Sequence, residues 1–206
     1  QDTSLKKAKK ISKKTGYELI IGNLIDTARY KYPFVKEYTL SEKGGKIAFT
    51  SSGDDAEFQS GVYVFDTQKQ SIQSIYESKW IFKSLKWDED GQHLSFVSDL
   101  DTTQSLNRYF NLHLWSIGDD TAETILTARD EYLEKTYLVS EHSPLEFSKN
   151  GSLLYFGKSL PVLQADTSLL EHAIVKVEVW TYRDERLYTQ QEMEKEKDQK
   201  ASFLSA

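Results

Sequence analysis

The stretch Trp87–Phe96, WDEDGQHLSF, decides how this chain folds. It reads as a large apolar anchor, a polar turn with one glycine, and a short alternating strand closed by an aromatic residue. Nearly the same ten-residue phrase occurs twice more, as LSEKGGKIAF from Leu40 and FSKNGSLLYF from Phe147. Glycine falls four residues after the anchor in each copy (Gly44, Gly91, Gly151). Phenylalanine closes each copy five residues later (Phe49, Phe96, Phe156). Lys43-Gly44-Gly45, Asp90-Gly91 and Asn150-Gly151 are hairpin signals, because Gly and Asn tolerate the positive φ of tight turns between strands.

The repeat extends beyond the phrase. After each copy comes a polar loop of variable length, then an alternating strand ending in a large aromatic residue: GVYVFD from Gly61, NLHLWSI from Asn111 and KVEVWTY from Lys176. Phe65, Trp115 and Trp180 hold the same place. A polar turn and a fourth short strand follow, SIQSIY from Ser71 and AETILT from Ala122, with RLYTQQ from Arg186 as the third. The closing phenylalanines stand 47 and then 60 residues apart. The extra length of the third unit lies in its middle loop, KSLPVLQADTSLLEHA. A four-stranded unit at this period is one propeller blade. An ordinary sandwich that repeats a turn is the alternative, but it gives no reason for the glycine and phenylalanine registers to recur.

The expected fold is therefore all-β: a partial β-propeller of about three four-stranded antiparallel blades, with short charged helical or irregular excursions. Residues 1–15 form a Lys-rich lead-in and residues 16–33, with GYELIIGNL and ARYKYP, the end of a preceding blade. Blades follow over 34–79, 80–136 and 137–191. Residues 192–206 make a charged excursion and the start of a further strand, KASFLSA. Propellers close with four to eight blades, so the chain reads as a segment of a larger ring. An open arc leaves blade faces and strand edges uncovered, which predicts self-association. One form of this is a three-blade chain that completes a ring as a dimer.

Composition narrows the function. The chain has 206 residues, 38% apolar and 28% charged, with aromatics at 13% that favour strands. A net charge of −6 speaks against nucleic acid, which needs a basic surface. With no cysteine, disulfides, thiolate metal sites and a cysteine nucleophile are excluded. No stretch approaches the ~20 apolar residues of a membrane span. The six lysines between Lys6 and Lys14, and the charged run DERLYTQQEMEKEKDQK, read as solvated excursions between blades.

Catalytic, cofactor and metal residues are assigned to none of these positions. There is no G-x-S-x-G elbow, no H-E-x-x-H and no glycine-rich phosphate loop. His93 and His113 alternate with apolar neighbours on predicted strands, and are expected to face away from the core or to fill a polar blade position. His142 and His172 stand alone. Asp88–Gly91 has its glycine fourth, not sixth as a calcium loop requires, and a turn explains it. Asp99–Asn107 reads as a solvated acidic loop. The recurring Trp87, Trp115, Trp180, Phe49, Phe96 and Phe156 are expected to pack between blades.

VEVWTYRDERLYTQQ, Val177–Gln191, resembles a signature of prolyl oligopeptidase-type serine peptidases, particularly bacterial dipeptidyl-peptidase and acylaminoacyl-peptidase relatives. FSKNGSLLYFGKS and GYELIIGNL are similar to their propeller repeats, and the likeness runs over roughly Gly16–Gln191. The blade phrase alone is shared with Tol-type and WD-repeat-like propellers. The resemblance implies a non-catalytic propeller segment covering a separate C-terminal α/β-hydrolase domain with a Ser-Asp-His triad, and peptide substrates whose access the propeller restricts. It also implies a periplasmic or exported parent. Paired glutamates that hold a substrate amine in dipeptidyl peptidases have no match here, since Glu185 and Glu192 are isolated. The alternative is a binding or scaffold propeller with no hydrolase activity.

Overall fold

The computed structural model describes residues 16–25, 27–43, 45–53, 58–79, 81–99, 107–128, 130–133, 136–162 and 185–206. Its thirteen described strands form three antiparallel sheets. The first sheet runs β1 (Tyr17–Gly22), β2 (Arg29–Leu40), β3 (Lys46–Ser51), β4 (Gly61–Asp66), β5 (Ser71–Glu77) in chain order. The second is another meander, β6 (Ile81–Trp87), β7 (His93–Asp99), β8 (Phe110–Ser116), β9 (Glu123–Leu126). In the third, β10 (Leu138–Val139) and β11 (Glu146–Phe147) pair in succession with β12 (Leu154–Ser159), and β13 (Phe203–Ser205) also pairs with β12.

Each phrase builds one turn, and the three turns close alike. The N–H of Ser41, Asp88 and Ser148 donates to the carbonyl of Lys46, His93 and Leu153 at 2.9, 3.0 and 2.9 Å. The side-chain oxygen of the same three residues accepts from the N–H of Lys46, His93 and Leu153, at 3.0 Å each time. The residue after the anchor thus carries an oxygen that fixes the hairpin, a register that Ser, Asp and Ser all satisfy. Gly91 and Gly151 take φ of 66° and 68°, the left-handed turn conformation that glycine adopts without strain.

The sheets stack face to face as an arc, a partial propeller. Ala48, Val62, Val64 and Ile75 of the first sheet pack on Phe82, Leu85, Trp87, Leu94, Phe96 and Trp115 of the second. Val97, Phe110, Leu112 and Leu126, from the other face of the second sheet, pack on Val139, Leu145 and Phe156 of the third. Strand alternation sends neighbouring residues to opposite faces, so Phe96 and Val97 serve different seams. Phe49 and Phe65 face away from the second sheet, toward a hairpin made of β1 and the start of β2. The closing phenylalanine of each phrase therefore packs on the layer that precedes it.

β2 is longer than any blade strand because it serves two layers. Residues 29–32 pair with β1, and residues 35–40 pair with β3. Phe34, at φ 53°, turns the chain between them. Arg29–Pro33 then lies across the face of the sheet, with Tyr32 4.9 Å from Phe49 and Tyr30 4.9 Å from Phe65, ring centre to ring centre.

One expectation at the C-terminal end is corrected. RLYTQQ is no strand: Tyr188–Gln191 is the first turn of α1 (Tyr188–Gln199). This run has no period-2 apolar pattern and is rich in helix formers, and Arg186 staples the helix by donating to Glu194 at 2.7 Å and Asp198 at 2.8 Å. Phe203–Ser205, read as the start of a further blade, lies on the third sheet among the described residues. It pairs through Phe156–Lys158 along the β12 edge opposite β10 and β11, where main-chain groups need partners. KVEVWTY, with Trp180, lies outside the described residues, as do the lead-in 1–15, Gly44 and His172.

Candidate functional site

The first strands of the units lie side by side, and the ends of β2, β6 and β11 meet around a cavity of about 260 Å³. Its lining includes Leu40, Glu42, Lys86, Trp87, Phe147 and Lys149, so each copy of the phrase contributes its anchor and a turn residue. Of the three anchors, Trp87 was expected to pack between blades. Trp87 is buried at 5% exposure, whereas Leu40 is 61% exposed. Glu42, Lys86 and Lys149 have no ion-pair partner among the described residues, while Lys43 spans the first two turns to reach Glu89 at 2.9 Å and Asp90 at 3.1 Å. Asp88 is occupied by the turn, accepting from the N–H groups of Gln92 at 2.7 Å and His93 at 3.0 Å.

Below the cavity the first strands are tied by charge. β6 bulges between Lys83 and Lys86, and Ser84 there has φ 60°. The Glu37 carboxylate of β2 accepts from the N–H of Ser84 at 3.0 Å and of Leu85 at 2.9 Å. It thereby satisfies two donors that the bulge removes from the ladder. Lys83 pairs with Glu141 after β10, and its Nζ lies 5.9 Å from the Phe110 ring centre. Lys36 keeps an exposed surface, yet desolvation, and after it the Lys83 charge, pull its pKa below the ordinary lysine range. Asp99 and Asn107, the ends of the expected solvated loop, are both fixed. Asp99 is buried and paired with Arg108, and Asn107 exchanges two hydrogen bonds with the Val162 main chain.

The histidines are structural in their contacts. His113 is fully buried, its ring 4.8 Å from Phe96 and 4.6 Å from Tyr76 of the neighbouring sheet. Nε2 lies 2.6 Å from Ser98 Oγ and Nδ1 3.1 Å from Thr124 Oγ1. Burial lowers its pKa to about 4, so the ring is neutral near pH 7. The Ser98–His113 contact has the form of a nucleophile and base. It is sealed from solvent, however, and the second ring nitrogen meets a hydroxyl rather than the carboxylate that would orient a base. His93 Nδ1 lies 3.0 Å from Ser116 Oγ, and the His142 N–H donates to Ser140 Oγ. Glu185 precedes α1 and Glu192 lies within it, both exposed. Among the described residues no three His, Asp or Glu side chains group to hold a metal ion, and no helix is long and apolar enough to cross a membrane.

The sequence reading missed the cavity. The signal was present, because three anchors in one register must converge if the first strands do, but convergence is a property of stacking and not of any one unit.

No protein-family model matches the chain, and no curated protein does. Among solved structures it is similar to the β-propeller domain of the Trilobed protease from Pyrococcus furiosus. The identity there is 18% and the TM-score 0.41, over 68% of this chain and 44% of that one. It is also similar to the acylaminoacyl peptidase of Pyrococcus horikoshii, at 16% identity and TM-score 0.43, over 73% of this chain and 24% of that one. The chain thus spans less than half the length of either.

Proposed function

We propose that this chain is part of the wall of a β-propeller that covers the catalytic domain of a serine peptidase of the prolyl oligopeptidase type. In this reading the propeller restricts which peptides reach a serine supplied by another domain. The observation that carries it is the face-to-face stacking of repeated antiparallel meanders, with three copies of one phrase lining one cavity. The Val177–Gln191 stretch, which resembles these peptidases, supports the same reading. The Ser98–His113 pair takes no part in the chemistry. Its serine is unreachable, and a base held neutral down to about pH 4 is too weak to activate it near neutral pH.

The test is to express the full reading frame that encodes this chain and label it with a fluorophosphonate. Labelling of a serine in a G-x-S-x-G elbow outside residues 1–206 is the expected result. A reading frame with further blades, no elbow and no labelled serine would leave a binding propeller in its place.

A further inference from the structure

We infer that Asn150 is a deamidation site that the hairpin between β11 and β12 holds closed, and that opening of this one turn converts it to aspartate and isoaspartate. The site is independent of the peptidase reading. Asn150-Gly151 is the one place in the sequence where glycine follows asparagine. The pairing matters because the nitrogen of the next residue is the nucleophile of the reaction, and glycine has no Cβ to obstruct its approach. The other two copies of the phrase place Lys43 and Asp90 in this slot. A lysine has no acyl carbon to attack, and a carboxylate is a poor electrophile that would have to expel an oxygen. Asp90 is also engaged by Lys43, at 3.1 Å.

The step balances with water alone. Hydroxide takes the proton of the Gly151 N–H, and the nitrogen bonds to Asn150 Cγ. The Cγ–Nδ2 bond breaks, and the amide nitrogen leaves as ammonia with a proton drawn from water. Water then adds to either carbonyl of the five-membered succinimide. Opening at one carbonyl leaves aspartate. Opening at the other leaves isoaspartate, whose main chain is longer by a carbon. Asn150 is exposed, so water and base both reach it.

The folded turn opposes the first of these steps. The Gly151 N–H donates to the Ser148 carbonyl at 2.8 Å, so the proton that must leave is held. Asn150 Oδ1 accepts from Ser148 Oγ at 2.7 Å, Ser152 Oγ at 2.8 Å and the Ser152 N–H at 3.3 Å. Those bonds polarise Cγ, but they also pin the side chain, and ring closure needs side chain and main chain to rotate toward each other. Gly151 is fixed at φ 68°, and a Cβ there would stand 3.3 Å from Asp88 Oδ2, so the third turn rests against the second. Ser148 is common to the whole arrangement. Its N–H and Oγ meet the Leu153 main chain at 2.9 and 3.0 Å, its hydroxyl holds Asn150 and its carbonyl holds Gly151. An exposed turn loses such bonds by local opening, well before the chain unfolds. Isoaspartate then adds an atom to the loop that the Ser148–Leu153 bonds close, so the turn does not re-form in register.

The experiment incubates the 206-residue chain in mildly alkaline buffer made with ¹⁸O-labelled water, folded and in urea. A blocked peptide with the sequence of residues 148–153, acetyl-Ser-Lys-Asn-Gly-Ser-Leu-amide, is treated alongside. Mass spectrometry of the digest reads ¹⁸O uptake at Asn150, and chromatography separates the aspartate and isoaspartate forms. The peptide and the chain in urea are expected to convert at like rates, and the folded chain at least tenfold more slowly. Ser148→Ala removes the hydroxyl that pins Asn150 and should speed the folded chain at least threefold. Ser41→Ala makes the same change in the first turn and should leave the rate at Asn150 unchanged. A folded chain that converts as fast as the peptide would overturn the proposal, as would no conversion in any sample. A Ser148→Ala variant no faster than the native chain would overturn it too. Equal acceleration by Ser41→Ala and Ser148→Ala would do the same, because global unfolding and not this turn would then control the site.

Discussion

The seam between the first two sheets and the leading face of the first sheet hold the same register, yet they differ sharply in burial. Leu85 and Trp87 on β6 are 7% and 5% exposed. Tyr38 and Leu40, two residues apart in the same way on β2, are 60% and 61% exposed. The first sheet covers the former pair. The hairpin of β1 and the start of β2 covers Phe49, Tyr63 and Phe65 but does not reach the latter. Burial here belongs to the stack, and one repeat unit cannot bury its own apolar face.

The sharpest test sets those positions against each other. Trp87→Ala should cost about 3–5 kcal/mol of folding stability, as large core truncations do. Leu40→Ala, in the same register, should stay within about 0.5 kcal/mol. Urea melts of the two variants check both, and similar losses would mean that the leading face is covered in solution.

His113 extends the comparison to pH, since it packs against Tyr76 across the same seam. Its folded pKa of about 4 lies below the ordinary 6.5, so the unfolded chain binds the extra proton between those values. The stability that neutral His113 contributes is present above about pH 6.5, is lost as pH falls toward 4, and changes no further below. The full loss is about 3 kcal/mol. Carboxylates also titrate in this range, so the measurement is the difference in pH–stability curves between the native chain and His113→Gln. That variant should be less stable at pH 7 and flatter between pH 6.5 and 4.

The smallest expected effects concern the Glu37 clamp. Glu37→Ala leaves the N–H groups of Ser84 and Leu85 without their acceptor, at a cost of about 2 kcal/mol. Glu37→Gln retains an amide oxygen and should recover part of it. Ser84→Gly should instead stabilise by up to about 1 kcal/mol, because the native φ of 60° strains a residue with a Cβ. Thermal melts resolve all three, and a neutral Glu37→Ala would show that water replaces the carboxylate.

Much of this was legible in residues 87–96. The phrase located all three turns, and strand alternation located β3, β4, β5, β7, β8, β9 and β12. The Ser41, Asp88 and Ser148 register was also in plain view, but it acquires meaning only when each oxygen is seen to accept from a main-chain N–H five residues on. Tyr188–Gln191 misled because four residues cannot distinguish a short strand from the first turn of a helix. The twelve-residue run and the Arg186 staple decide it. The long β2 was split in two at Pro33, since nothing local shows that one strand serves two layers.

What the sequence determined by itself is the local unit: where the chain turns, which residues alternate, and that the unit recurs. Those properties depend on backbone torsions and neighbouring side chains, which a ten-residue phrase contains. Only the tertiary structure decided which anchor is core and which lines a cavity, which carboxylate clamps which bulge, and which strand takes the free edge of β12. Each is a contact between units whose sequence separation varies. It depends on how far one sheet extends over the next, and no residue within a unit encodes that distance.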